Sequence, residues 1–188
     1  CMATSLDAAT EESFKALRVR GKNASWDTVM ENMGKLQKLK RDKDFTFTVS
    51  LTLNSINAAE IDSFVDLALS LDAEPLISLV ANPYQTYEFQ KEYLVFSDAQ
   101  FEDMFAAIDR ALPKVRERGF EDSETYLDQL RAILKQHRDT DNNPARLKAK
   151  NLARKAFRIL PEQLQLPIRR TVQKVRIRRL QEYTSDKS

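Results

Sequence analysis

The sequence predicts an α/β protein built on parallel strands and followed by a helical C-terminal extension. Three observations carry that prediction. Short β-rich segments alternate with amphipathic helical stretches up to about residue 82. The segment Phe45–Asn54 keeps a strict two-residue alternation, and only helical periodicity follows Ser97.

Cys1–Asp7 reads as the end of a strand. Thr10 caps a short helix that turns Phe14 and Leu17 inward, and Gly21 ends it. Ser25 opens a second helix on which Val29, Met33 and Leu36 share a face. In the next strand Phe45, Phe47, Val49, Leu51 and Leu53 alternate with Thr46, Thr48, Ser50, Thr52 and Asn54, so period two puts the two sets on opposite faces. Asn57 with Glu60 has the spacing of a capping box for a helix presenting Ile61, Phe64, Val65, Ala68 and Leu71. A third strand, Leu76–Ala81, ends at Asn82-Pro83.

Strand–helix–strand order favours parallel pairing with right-handed crossovers. In a (β/α) barrel the apolar set packs outward on helices, and the hydroxyl row Thr46, Thr48, Ser50 and Thr52 faces the lumen. The alternative is an antiparallel strand with its Thr face in water, which the flanking helices disfavour. Farther on, Ser97 with Gln100 caps a long helix with Phe101, Met104, Phe105, Ile108 and Leu112 inside. Pro113 is its expected kink and Gly119 its end. A last clear helix presents Tyr126, Leu127, Leu130, Ile133 and Leu134, and Asp139–Pro144 reads as a hinge-like linker. The chain thus divides into 1–96, the sheet region; 97–138, helices packing on it; and 139–188, a basic helical extension.

Composition narrows the chemistry. The 188 residues are 42% hydrophobic, enough for a domain with a proper core. No apolar run approaches the roughly 18 residues of a membrane helix. No basic-then-apolar leader opens the sequence, so the expected location is cytoplasmic. One cysteine, Cys1, and one histidine, His137, exclude a disulfide framework, a structural zinc site and a self-contained iron–sulfur cluster. His137, near Lys135 and Arg138, is expected at a helix-end surface.

Charge is unevenly spread. Residues 1–145 hold 17 Lys and Arg against 25 Asp and Glu, whereas residues 146–180 hold 12 basic residues and the single acid Glu162. After Pro167, Ile168, Val172 and Val175 form a narrow apolar stripe among Arg169, Arg170, Lys174, Arg176, Arg178 and Arg179. Three readings stand for this segment: an anionic membrane surface, nucleic-acid phosphates, or docking on the acidic body of the chain itself. The aromatic run Tyr84, Tyr87, Phe89, Tyr93 and Phe96 is either a substrate lid or packing beneath the next helix. Trp26 belongs with Phe14 and Met30 in the core.

The run Ser5-Leu6-Asp7-Ala8-Ala9-Thr10-Glu11-Glu12-Ser13-Phe14-Lys15-Ala16-Leu17-Arg18 resembles the fourth strand and following helix of radical S-adenosylmethionine enzymes. Trp26-Asp27-Thr28-Val29-Met30-Glu31-Asn32-Met33 resembles the helix that follows there, and the polar-faced strand and the helix Asn57–Leu71 continue in the same order. The resemblance spans roughly residues 3–82. It implies a partial (β/α) barrel, with a 4Fe–4S cluster and S-adenosylmethionine at the C-terminal strand ends. It also implies cofactor contacts from Ser5 and Asp7, a cofactor-carboxylate partner in Arg18, and further contacts from Asn54 and Asn82. Thr48, Ser50 and Thr52 would face the substrate. A guanidinium suits that carboxylate because it donates two parallel hydrogen bonds.

The departure from the family is as informative as the match. The C-x-x-x-C-x-x-C loop that binds three irons of the cluster, and the three strands around it, have no counterpart here. The expectation is the later half of such a barrel, unable to hold a cluster by itself. Its first strand would be an exposed edge, to be covered by a missing N-terminal half-barrel or by self-association. The alternative function is a non-catalytic α/β binding or scaffolding module whose basic arm engages an anionic partner.

Overall fold

A computed structural model describes residues 1–17, 25–43, 45–79 and 87–140, with 142, 143, 145, 148, 149, 152 and 153; the side chains of 87 and 88 are not among them. The chain forms two units, Cys1–Arg146 and Leu147–Ser188. The described strands and the helices with stated bounds belong to the first. In chain order they are β1 (Met2–Ser5), α1 (Glu11–Leu17), α2 (Trp26–Lys43), β2 (Phe47–Leu53), a 3-10 turn (Ala58–Glu60), α3 (Ile61–Ser70), β3 (Glu74–Leu79), α4 (Tyr87–Tyr93), α5 (Asp98–Glu117) and α6 (Glu121–Thr140).

The three strands form one sheet in the order β1-β2-β3, parallel throughout. Parallel neighbours need a crossover between them, and α1 with α2, then α3, supply it. The register aligns Ala3, Thr48 and Glu74, then Ser5, Ser50 and Leu76, with Thr52 beside Ser78. Register partners share a face, so the hydroxyl row of β2 joins Ser5, Glu74 and Ser78 on one side of the sheet. That side is partly open: Thr48, Ser50 and Thr52 are half-buried and Ser5 and Ser78 exposed.

The other side carries the core. Phe47, Val49, Leu51 and Leu53 of β2 and Ile77 of β3 are buried, together with Ile61, Phe64, Val65 and Ala68 of α3. Phe101, Met104, Ile108, Leu112 and Val115 of α5 and Leu127, Leu130 and Leu134 of α6 extend the same cluster. Met33 of α2 enters it fully, while Val29 and Leu36 border it. Phe14 and Trp26 meet edge to face at 5.5 Å between α1 and α2.

Helix ends follow local chemistry. Ser97 and Gln100 form the expected capping box of α5. Ser25 accepts from the Thr28 N–H at 3.1 Å to start α2. Both α3 and α5 end in the same two-bond cap. At α3, Asp72 has φ 53° and the Ala73 N–H reaches the Ala68 carbonyl at 2.9 Å. At α5, Gly119 has φ 69° and the Phe120 N–H reaches Val115 at 3.1 Å. Glycine takes that left-handed conformation freely, whereas at Asp72 the Lys40 ammonium holds the carboxylate at 2.8 Å.

Several expectations change. The third strand begins at Glu74, before Pro75, rather than at Leu76. Pro75 has no N–H to give a ladder, and it sits on the outermost of the described strands, where the buried Ser123 hydroxyl of α6 donates to its carbonyl at 2.7 Å. Helix α5 contains Pro113 and stops at Glu117, with Gly119 in its terminal cap as expected. Tyr126 and Ile133 are exposed on α6, whose buried face is Ser123, Leu127, Leu130, Leu134 and His137. Helix α6 also continues through Asp139 to Thr140, into the expected linker, and Asn142 is tied to both backbone groups of Phe96 at 2.8 Å.

His137 is not at the surface. It is 8% exposed, its Nε2 lies 2.7 Å from the Leu94 carbonyl, and its ring packs beside Phe96 and Phe101. Phe96 of the aromatic run is thus core, while Phe89 and Tyr93 pair at 4.7 Å on α4. Among the described residues no helix is long and apolar enough to cross a membrane.

Candidate functional site

The C-terminal ends of β1 and β2 open into a cavity of about 270 Å³ lined by Leu6, Asp7, Ala8, Phe14, Leu17, Thr52 and Asn54. Ligands of parallel α/β sheets bind at this end, because the strands stop there and the connecting loops diverge. The wall is divided: Leu6, Ala8, Phe14 and Leu17 are apolar, and Asp7, Thr52 and Asn54 are polar.

Asp7 is the residue on which the polar side turns. The ladder between the first two strands continues past β1 as the Leu6 N–H bonds the Ser50 carbonyl at 3.0 Å. Asp7 then adopts φ 59°, a conformation that non-glycine residues rarely take, although Asp is among the more tolerant. The backbone leaves the sheet, and the Asp7 carboxylate takes the next rung, its Oδ1 accepting from the Thr52 N–H at 3.2 Å. The same oxygen accepts from the Ser5 hydroxyl at 2.8 Å. Oδ2 takes no hydrogen bond from a described residue.

Two asparagines close the end of β2. Asn54, 7% exposed, accepts from the Ile56 N–H at 2.9 Å and donates to the Thr52 carbonyl at 3.3 Å. Asn57, fully buried, accepts from the Asn54 N–H at 2.7 Å and donates to the carbonyls of Asp7 and Thr52, each at 3.0 Å. Glu60 reaches the β1–α1 loop. Its carboxylate accepts from the Ala9 N–H at 2.8 Å, the Thr10 hydroxyl at 2.5 Å and the Ser13 hydroxyl at 2.7 Å. The expected capping box is therefore absent: neither Asn57 nor Glu60 makes a side-chain cap on its own helix, and both bond residues about fifty positions away.

The structure thus brings Ser5, Asp7, Thr52 and Asn54 together. Thr48 and Ser50 lie farther back along the polar face, where Ser50 makes a long 3.4 Å bond to the Thr4 carbonyl. Arg18 and Asn82 lie outside the described residues, as does most of 146–180. Sequence reasoning missed the parts played by Asn57, Glu60, Thr10 and Ser13; the polar N-x-x-E spacing was visible, but its partners were not. Chemically, the arrangement offers a carboxylate oxygen and hydroxyl and amide groups to a polar ligand, beside an apolar wall for a flat or aliphatic part. No family model, curated protein or solved structure matches the chain.

Proposed function

We propose that this chain is the later half of a radical S-adenosylmethionine barrel, supplying cofactor- and substrate-facing walls to an active site completed by another segment. The observation that best supports this is the parallel sheet with a helix-covered apolar face and a half-open polar face, ending on the Ser5–Asp7–Thr52 cluster over a cavity.

The residues present suit S-adenosylmethionine in part. A carboxylate at a strand end accepts from ribose hydroxyls, and Asp7 has an oxygen to offer; Asn54 stands beside it, and Phe14 and Leu17 give the apolar surface a base needs. Ser5 holds Asp7 in place. Bound together with a reduced 4Fe–4S cluster, the cofactor would supply a 5′-deoxyadenosyl radical. The cluster itself does not fit these residues, since Cys1 is the one cysteine in the sequence. Its ligands belong, on this reading, to an N-terminal half-barrel that pairs with β1, and Thr48, Ser50 and Thr52 then face the substrate. Self-association through the same edge is the other way of covering β1, which pairs with β2 alone among the described strands.

The test begins with the coding DNA upstream of Cys1. An in-frame C-x-x-x-C-x-x-C supports the reading, and a stop codon there overturns it. Calorimetric titration of S-adenosylmethionine into the longer, cluster-reconstituted polypeptide should then give binding, weakened about tenfold in Asp7→Asn, as for loss of one charged hydrogen bond. No heat with S-adenosylmethionine, together with salt-sensitive binding to nucleic acid or anionic vesicles, would instead make the chain a binding module acting through its basic 146–180 segment.

A further inference from the structure

We infer that Glu60 is a positioning residue for the site, acting through the β1–α1 loop on Asp7. This rests on the reading of Asp7 as a ligand-facing residue. Glu60 is 9% exposed, and a carboxylate so placed is costly unless its oxygens are satisfied. Among the described residues no lysine or arginine pairs with it; instead it collects three donors from one short stretch, Ala9, Thr10 and Ser13. Those donors flank the start of α1, one backbone N–H and two side-chain hydroxyls.

The consequence lies two residues upstream. Asp7 holds a left-handed φ of 59°, and its own carbonyl is fixed by Asn57 at 3.0 Å. Glu60 fixes Ala9 on the other side of the bend at 2.8 Å. Residues 7–9 are thus clamped at both ends by side chains from the turn that starts α3. Only with both anchors in place does the backbone leave β1 at the angle that lays the Asp7 carboxylate against the Thr52 N–H. Thr10 caps α1 through the Ser13 N–H at 3.3 Å while also donating to Glu60, so loosening Glu60 loosens the loop and the helix start together.

Amide hydrogen exchange on the 188-residue chain tests this without any ligand. In Glu60→Gln, exchange should quicken about tenfold or more at Ala9, and also at Thr52, whose N–H is held by Asp7 and not by Glu60. Rates are referred to core amides of α5, at Ile108 and Leu112, to remove any global loss of stability. Quickening at Ala9 with Thr52 unchanged would reduce Glu60 to a local helix cap and overturn the inference. Should Glu60→Gln fail to fold, Ser13→Ala removes one donor from the carboxylate, and the same pair of amides is read. A second arm titrates S-adenosylmethionine into the longer protein carrying Asp7→Asn, Glu60→Gln or both. If Glu60 acts through Asp7, the double variant binds no more weakly than Asp7→Asn; additive losses would overturn the inference. If the wild type does not bind at all, the cofactor reading falls, and the exchange result still decides the role of Glu60.

Discussion

The Asp7 carboxylate accepts from the Thr52 N–H at 3.2 Å and so extends the β1–β2 ladder by one rung after the backbone of β1 has turned away. Side chain and backbone demands coincide at this position: the residue must tolerate φ 59° and carry an acceptor of the right length. Asp7→Ala violates both, losing the bonds from Ser5 and Thr52 and straining the backbone, and should cost about 2–3 kcal/mol. Asp7→Gly relieves the strain and keeps the loss of acceptor, so it should unfold at a higher urea concentration than Asp7→Ala. Equal midpoints for the two would show that the left-handed conformation carries no cost here.

The two faces of β2 should respond to substitution very differently. Leu51 is fully buried against the helices, and Leu51→Ala should cost about 2–5 kcal/mol. Its neighbour Ser50 lies on the half-open face with one long hydrogen bond, and Ser50→Ala should stay within about 0.5 kcal/mol. Urea unfolding of both variants checks the contrast. A large loss from Ser50→Ala would mean that the polar face is packed in solution and cannot be a substrate wall.

How much of this was legible in the sequence depends on the range of the interaction. The alternation in β2 was readable because each residue declares its face by its own chemistry, and the Ser97–Gln100 box because its partners are three residues apart. Asn57 and Glu60 satisfy the same local pattern, yet their side chains cross to Asp7 and to Ala9–Ser13. Spacing cannot tell a cap that closes on itself from one that reaches another element. Asp7, Thr52 and Asn54 of the cavity wall, and Ser5 bonded to Asp7, were named from the resemblance, but the rung between Asp7 and Thr52 needed the fold.

His137 offers a separate check on the α4–α6 packing. A carbonyl only accepts, so the ring nitrogen 2.7 Å from the Leu94 carbonyl carries the proton. His137→Phe keeps a ring beside Phe96 and Phe101 but removes that donor from the Leu94 carbonyl. The expected cost is about 1–3 kcal/mol by urea unfolding. His137→Phe at wild-type stability would show that water satisfies Leu94 and that the histidine matters only for its shape.

The pH dependence of stability should show the ion cluster between α3 and α5. Asp62 bonds Lys114 at 2.6 Å and Arg110 at 2.8 Å, and Lys114 also holds Asp66 at 2.7 Å. Burial works to raise the Asp62 carboxyl, but the hydrogen bonds from Lys114 and Arg110 outweigh it and hold it below its ordinary value. The bonds it donates to Asp62 and Asp66 raise the Lys114 ammonium above its own ordinary value. A depressed carboxyl stabilises the fold above its unfolded pKa of about 3.9, and that contribution fades as pH falls through the lower folded value. A raised ammonium stabilises below about 10.4, and its contribution fades as pH rises through the higher folded value. Because the partners are partly exposed, Asp62→Asn should cost only about 0.5–1 kcal/mol at neutral pH. Urea midpoints measured across pH should find wild type and variant converging as pH falls below the unfolded carboxyl's value of about 3.9 and on through the lower folded one, until the carboxylate is protonated in both states. A gap that persists unchanged into strong acid would assign the loss to packing of the side chain, not to its charge.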